Sequence, residues 1–86
     1  MTALIKIHPT KAQVTYVFRT LEHIGVDYEK ITELDRGAAA KLIGEIRATF
    51  NRHALQGTAR YTEAEKQEAV NNRLKDLRKL KTQYAI

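Results

Sequence analysis

The chain has 86 residues, with 15 Lys and Arg against 10 Asp and Glu, a formal net charge of +5, and 43% hydrophobic side chains. That is one domain's worth of sequence, with a core small enough for a partner or a second copy to matter. It holds no Cys and no Ser, which removes disulfides, thiolate metal sites and serine or cysteine nucleophiles.

No apolar run reaches the ~18 residues that a membrane span requires. The start, Met1 to Pro9, lacks a basic segment leading into a long apolar one, so it does not read as a signal peptide. A cytoplasmic protein that does not engage membranes is expected. Charge is unevenly placed. Residues 1–35 carry four basic and five acidic side chains, whereas residues 36–86 carry eleven basic and five acidic. A basic second half points to a polyanionic partner, nucleic acid first.

In chain order, Leu4-Ile5-Lys6-Ile7-His8 is rich in β-branched residues and predicts a strand or an extended arm. Pro9 keeps helix from running through residue 8. Thr10-Lys11-Ala12-Gln13 has the spacing of a capping box. Val14, Val17, Phe18, Leu21 and Ile24 follow at helical spacing, and Gly25 stands where a left-handed C-terminal residue is wanted. The first helix is therefore placed at about 11–24. Residues 27–34 read as a connector with at most one helical turn. Asp35 caps a second helix running to Asn51 or Arg52. After a loop through Gln56-Gly57-Thr58, Thr62-Glu63-Ala64-Glu65 is a second capping box. It opens a long helix to about Tyr84, with Val70, Leu74, Leu77, Leu80 and Tyr84 as its apolar stripe. The expected fold is all-α: three helices in a small domain with a short N-terminal extended or strand segment. The chain divides into an arm (1–9), a helical hairpin (10–56) and a basic C-terminal helix of the same domain (57–86).

The second helix has an uncommon second face. At 100° per residue, Ala39, Leu42, Ile43, Ile46 and Phe50 form the core side. Gly37, Ala40, Gly44 and Ala48 gather nearly opposite, flanked by Lys41 and Arg52 on one side and Arg47 on the other. A mid-helix Gly costs about 1 kcal/mol relative to Ala, and small residues permit close approach of another backbone. Three occupants are consistent with the pattern: the third helix closing a bundle, a helix from a second copy or another protein, or a phosphate chain.

Chemistry is otherwise sparse. His8, His23 and His53 have no partner at metal-ligand spacing, so surface or capping roles are expected. The isolated glycines make no phosphate loop. No catalytic, metal or cofactor residues are assigned. The third helix carries Arg73, Lys75, Arg78, Lys79 and Lys81, spread around much of its circumference, after an acidic start of Glu63, Glu65 and Glu68 that complements the helix dipole. Side chains suited to reading bases are not concentrated near its N-terminus.

Residues 10–46 resemble a small helical hairpin of phage and mobile-element proteins, similar to ubiquitin-associated-type modules. Thr10, Lys11, Gln13, Leu21, Gly25, Leu34, Ala39, Leu42 and Ile43 carry the resemblance. Gly37 and Gly44 depart from it, and the basic third helix lies outside it. The resemblance implies a helical fold and the company of proteins that handle nucleic acid; it implies no site residues.

Two functions are expected from these features. One is a non-enzymatic phage or mobile-element accessory protein that binds nucleic acid or a host nucleoprotein through Lys41, Arg47, Arg52, Arg73, Arg78 and Lys79, with Gly44 allowing close approach. The other is a protein inhibitor or regulator of a host defence or nucleic-acid enzyme, anti-CRISPR-like in its logic, acting by protein–protein contact. Self-association as a homodimer is compatible with both.

Overall fold

The computed structural model describes residues 7–55 and 60–86. The expected strand falls mainly on residues 1–6, and the loop through Gln56-Gly57-Thr58 on residues 56–59, so both lie outside the described residues. The elements are α1 (Lys11–Leu21), a 3₁₀ turn (Glu22–Ile24), α2 (Tyr28–Thr32), α3 (Arg36–Arg52) and α4 (Glu63–Tyr84). The fold is an all-α small domain, and no described residue is in a strand.

Each helix begins where its sequence offers a cap. Thr10 and Gln13 make the reciprocal pair, with the Gln13 amide donating to Thr10 Oγ1 at 3.1 Å and the Thr10 amide to Gln13 Oε1 at 2.9 Å. Thr62 and Glu65 repeat it at 3.2 and 3.1 Å. Such boxes satisfy two amide donors that the helix itself leaves open. Asp35 receives the Gly37 amide at 2.9 Å and starts α3. The expected connector is a fourth helix, because Asp27 accepts the Glu29 amide at 2.9 Å and so caps α2. Gly25, at φ 80°, ends the 3₁₀ turn and is left-handed as its position requires.

The core draws on every helix. Val17, Leu21, Ile31, Leu42, Ile46 and Leu77 are fully buried, each contributing roughly 1.5–3 kcal/mol by removal from water. Val14, Leu80 and Ile86 join them, with Phe18, Ile24, Val26, Leu34, Ile43, Phe50 and Tyr84 packed around. Val70 and Leu74, the first members of the α4 stripe, are only half-buried. Thr49, the one buried polar residue among those described, donates its hydroxyl to Glu45 O at 2.8 Å. That bond removes the cost of burying a hydroxyl unpaired.

Helix α4 runs antiparallel to α3, since Tyr84 meets Glu45 and Asp76 meets His53. It packs on the Leu42, Ile46 and Thr49 side of α3, not on the small-residue face. Gly37, Ala40, Gly44 and Ala48 are all exposed, and a Cβ added at Gly44 would meet nothing within 4 Å. Bundle closure over Gly44 is thereby corrected. The apolar side of α3 is the larger hydrophobic surface, and both α1 and α4 are drawn to it.

The end of α4 is closed by a Schellman arrangement. Ala85 is left-handed at φ 55°; its amide donates to Thr82 O at 3.2 Å and the Ile86 amide to Lys81 O at 3.1 Å. These bonds satisfy carbonyls the helix leaves open and fold Ile86 back onto Leu80 and the core.

Candidate nucleic-acid interface

The basic residues separate into two populations according to helical phase. Arg47, on the α1 side of α3, places its guanidinium over the Tyr16 ring, 5.5 Å from the centroid. Arg73, one turn before Leu77, lies over Phe50 at 4.9 Å, and its buried Nε has no hydrogen-bond partner. The ring face supplies in part the negative potential that an acceptor would offer, an interaction of about 0.5–2 kcal/mol. Both arginines are thus tied to the fold. Arg73 binds α4 to α3, a role invisible in its spacing from Lys75 and Arg78.

A second group converges on Asp76. Its Oδ2 accepts from His53 Nε2 at 2.6 Å and from Arg52 Nη1 at 3.2 Å, and Lys79 Nζ stands 4.0 Å from Oδ1. An ionised carboxylate only accepts, so the proton is on His53 Nε2. His53 itself ends α3, its amide donating to Thr49 O at 3.2 Å. The His53 hydrogen bond is the main cause that holds the Asp76 carboxyl below its ordinary value. Partial burial opposes it, and the charges of His53, Lys79 and Arg52 assist. Arg52 keeps 63% of its side chain exposed in this pairing and Lys79 keeps 70%, so both still present charge to solvent.

Nearby, Tyr84 donates its hydroxyl to Glu45 Oε2 at 2.9 Å. Burial first, and then this bond and the Glu45 charge, raise the Tyr84 pKa above its usual value. Of the two carboxylates in the α3/α4 groove, Asp76 is thus paired with His53 and Arg52, and Glu45 accepts the Tyr84 hydroxyl. The groove itself is lined by Ala48 and Arg52 of α3 and by Lys79 and Gln83 of α4.

Beyond the groove lies the outer face of α4. Lys75, Arg78, Lys79, Thr82 and Gln83 line one shallow surface there. They fall at i, i+3, i+4, i+7 and i+8, the spacing of a single helical stripe. Among the described residues neither Lys75 nor Arg78 makes an ion pair. The run that looks dispersed over the circumference resolves into Arg73 inward, Lys81 half-buried at one side, and Lys75, Arg78 and Lys79 together outward. Lys75 is the residue that sequence reasoning passes over. Its distance of i+3 and i+4 from Arg78 and Lys79 was the available signal, outweighed by counting the whole run.

Of the seven expected residues, Arg52, Arg78 and Lys79 come together on this side. Lys41 is exposed on α3, in the same helical row as Ala48 and Arg52. Gly44 lies on the open face, while Arg47 and Arg73 are stacked on rings. Among the described residues no group of three His, Asp or Glu side chains is arranged to hold a metal ion, and no helix is long and apolar enough to cross a membrane. The chain matches no protein-family profile, no curated protein and no solved structure.

Proposed function

We propose that this chain is a small non-catalytic accessory protein, of the phage or mobile-element kind that its helical hairpin resembles, and that it binds nucleic acid or a nucleoprotein. The α4 outer face would carry the contact, with Arg52 extending it across the groove and Lys41 lying further along α3. The supporting observation is the exposed Lys75–Arg78–Lys79 stripe, next to a groove in which Asp76 is already paired with His53 and Arg52. Phosphates meeting those cations release counterions, and that release makes binding steeply salt-dependent. The test is retention of labelled DNA and RNA at low salt by the natural chain and by Lys75→Glu/Arg78→Glu/Lys79→Glu. Retention by the natural chain and its loss in the triple variant are expected. Absence of retention for the natural chain would end the proposal.

A second reading has an observation of its own. The Gly37–Ala40–Gly44–Ala48 face is exposed, with open space at Gly44, which suits a regulator that docks on another protein. With open space at Gly44, Gly44→Ala should stabilise the fold by about 1 kcal/mol, read as a higher Tm. A lower Tm would mean that the face is covered after all. Absence of nucleic-acid affinity would favour this reading, with Gly44→Leu as the variant expected to lose activity.

A further inference from the structure

We infer that the nucleic acid is double-stranded DNA, gripped through its phosphates without base readout. The inference rests on nucleic-acid binding by α4 and narrows it.

Single-strand binders rely on free aromatic faces, on which stacking contributes about 1–3 kcal/mol per base. This chain has no Trp, and its described rings stand away from the α4 stripe, including Tyr28 of α2, which is 47% exposed. Phe18 and Tyr28 pair edge to face at 5.3 Å between centroids. Tyr16 is covered by Arg47 and Phe50 by Arg73. Tyr84 packs against the core and is bonded to Glu45. Tyr61 lies beside Glu65 and Glu68, carboxylates that repel a phosphate chain. None of these rings stands among Lys75, Arg78 and Lys79.

The shape of α4 favours a duplex groove. Its outer face is turned away from α3, and a helix with side chains is about 10–12 Å across, matching the ~12 Å major groove of B-form DNA. The major groove of A-form RNA is too narrow to admit it. Arg78 and Lys79 are consecutive, so they diverge by about 100° around the axis, with Lys75 one turn back between them. That divergence directs cations to the phosphate backbones on both sides of one groove.

Among neutral side chains that could read base edges, the stripe itself offers only Thr82 and Gln83. The Gln67 amide donates to Asn71 Oδ1 at 2.9 Å, and the Thr82 hydroxyl donates to Arg78 O at 3.2 Å. Glu63, Glu65 and Glu68 exclude phosphate from the first turns. The footprint is therefore residues 75–83, roughly 12 Å of helix at 1.5 Å per residue, enough for a few phosphates.

Fluorescence anisotropy with the full chain tests this. The probes are a mixed-sequence duplex DNA, its scrambled counterpart, one of its single strands, and the corresponding duplex RNA, each across a salt series. Both DNA duplexes are expected to bind alike and about tenfold tighter than the single strand, whose stacking gain is missing. Lys75→Gln, Arg78→Gln and Lys79→Gln should each lower the salt slope by about 0.9, with the helical circular dichroism unchanged. A single strand or duplex RNA that binds as tightly, or a preference between the two DNA sequences, overturns the inference and leaves nucleic-acid binding standing. Unchanged slopes in all three folded variants overturn it by removing the contact from α4. Binding to no probe overturns both proposals.

Discussion

The two halves of α4 are built on different principles. Residues 63–68 are all exposed, and what holds them is local: the Thr62–Glu65 capping box, the Lys66–Glu63 pair at 3.4 Å and, a turn on, the Gln67–Asn71 bond. From Arg73 onward the same helix is fastened by tertiary contacts: Arg73 on Phe50, Leu77 and Leu80 in the core, Asp76 with His53, and Tyr84 with Glu45. The side-chain pairs contribute tenths of a kcal/mol each and the cap about 1 kcal/mol, whereas burial of one Leu contributes roughly 1.5–3 kcal/mol. The lesson concerns where a charged surface sits. The basic stripe belongs to the fastened half, so its cations are held in fixed register, while the acidic half is free to fray.

The sharpest way to break this comparison is Leu77→Ala. Removal of a fully buried side chain should cost about 2–5 kcal/mol and lower the Tm of the whole domain. A loss confined to α4 would show that the second half is not part of the common core.

Ala85→Gly sharpens it at the fastened end. Ala85 is left-handed at φ 55°, a conformation that Gly adopts without strain, so the change should stabilise by about 1 kcal/mol. Chemical denaturation would read the gain as a higher midpoint with an unchanged slope. Thr62→Ala probes the other half. Loss of an N-cap costs about 1 kcal/mol, here expressed as faster amide exchange near residues 65–70 with little change in Tm. A Tm drop as large as that of Leu77→Ala would erase the distinction.

The smallest effect is set by pH. Because the Asp76 carboxyl is lowered in the fold, its contribution is complete above the unfolded carboxylate value of about 3.9 and is lost as pH falls through the lower folded one. Melting curves between neutral and acid pH should therefore converge for the natural chain and Asp76→Asn below about pH 4. Parallel curves would show that Asp76 gains nothing from His53 and Arg52.

Helix boundaries were legible because the signals that set them are local. Thr10, Gly25, Asp35 and Thr62 act within a few residues of themselves, and each does what its position implies. The use of each helix face was not legible. A helical wheel gives the phase of Gly44 but not which neighbour arrives, and here α4 goes to the opposite side. It shows Arg47 and Arg73 as cations without showing Tyr16 and Phe50 beneath them. Asp76 is one acid in a basic run until His53 and Arg52 are brought to it across the turn. Lys75 stands apart from Arg73 only because Phe50 draws Arg73 inward. Ile86 gave no periodic signal at all, since it is buried by the left-handed residue before it.

That last residue also governs how the domain opens. The Asp27 amide, at the start of α2, donates to Ile86 O at 2.7 Å, so one bond joins positions separated by most of the chain. Opening it requires Ile86 to leave the core, and Asp27 is at the same time the cap of α2. Fraying at that end of α4 therefore propagates to α2 as a single event. The Asp27 amide becomes a natural reporter, expected to exchange its proton with solvent when that joint opening of α2 and the end of α4 occurs.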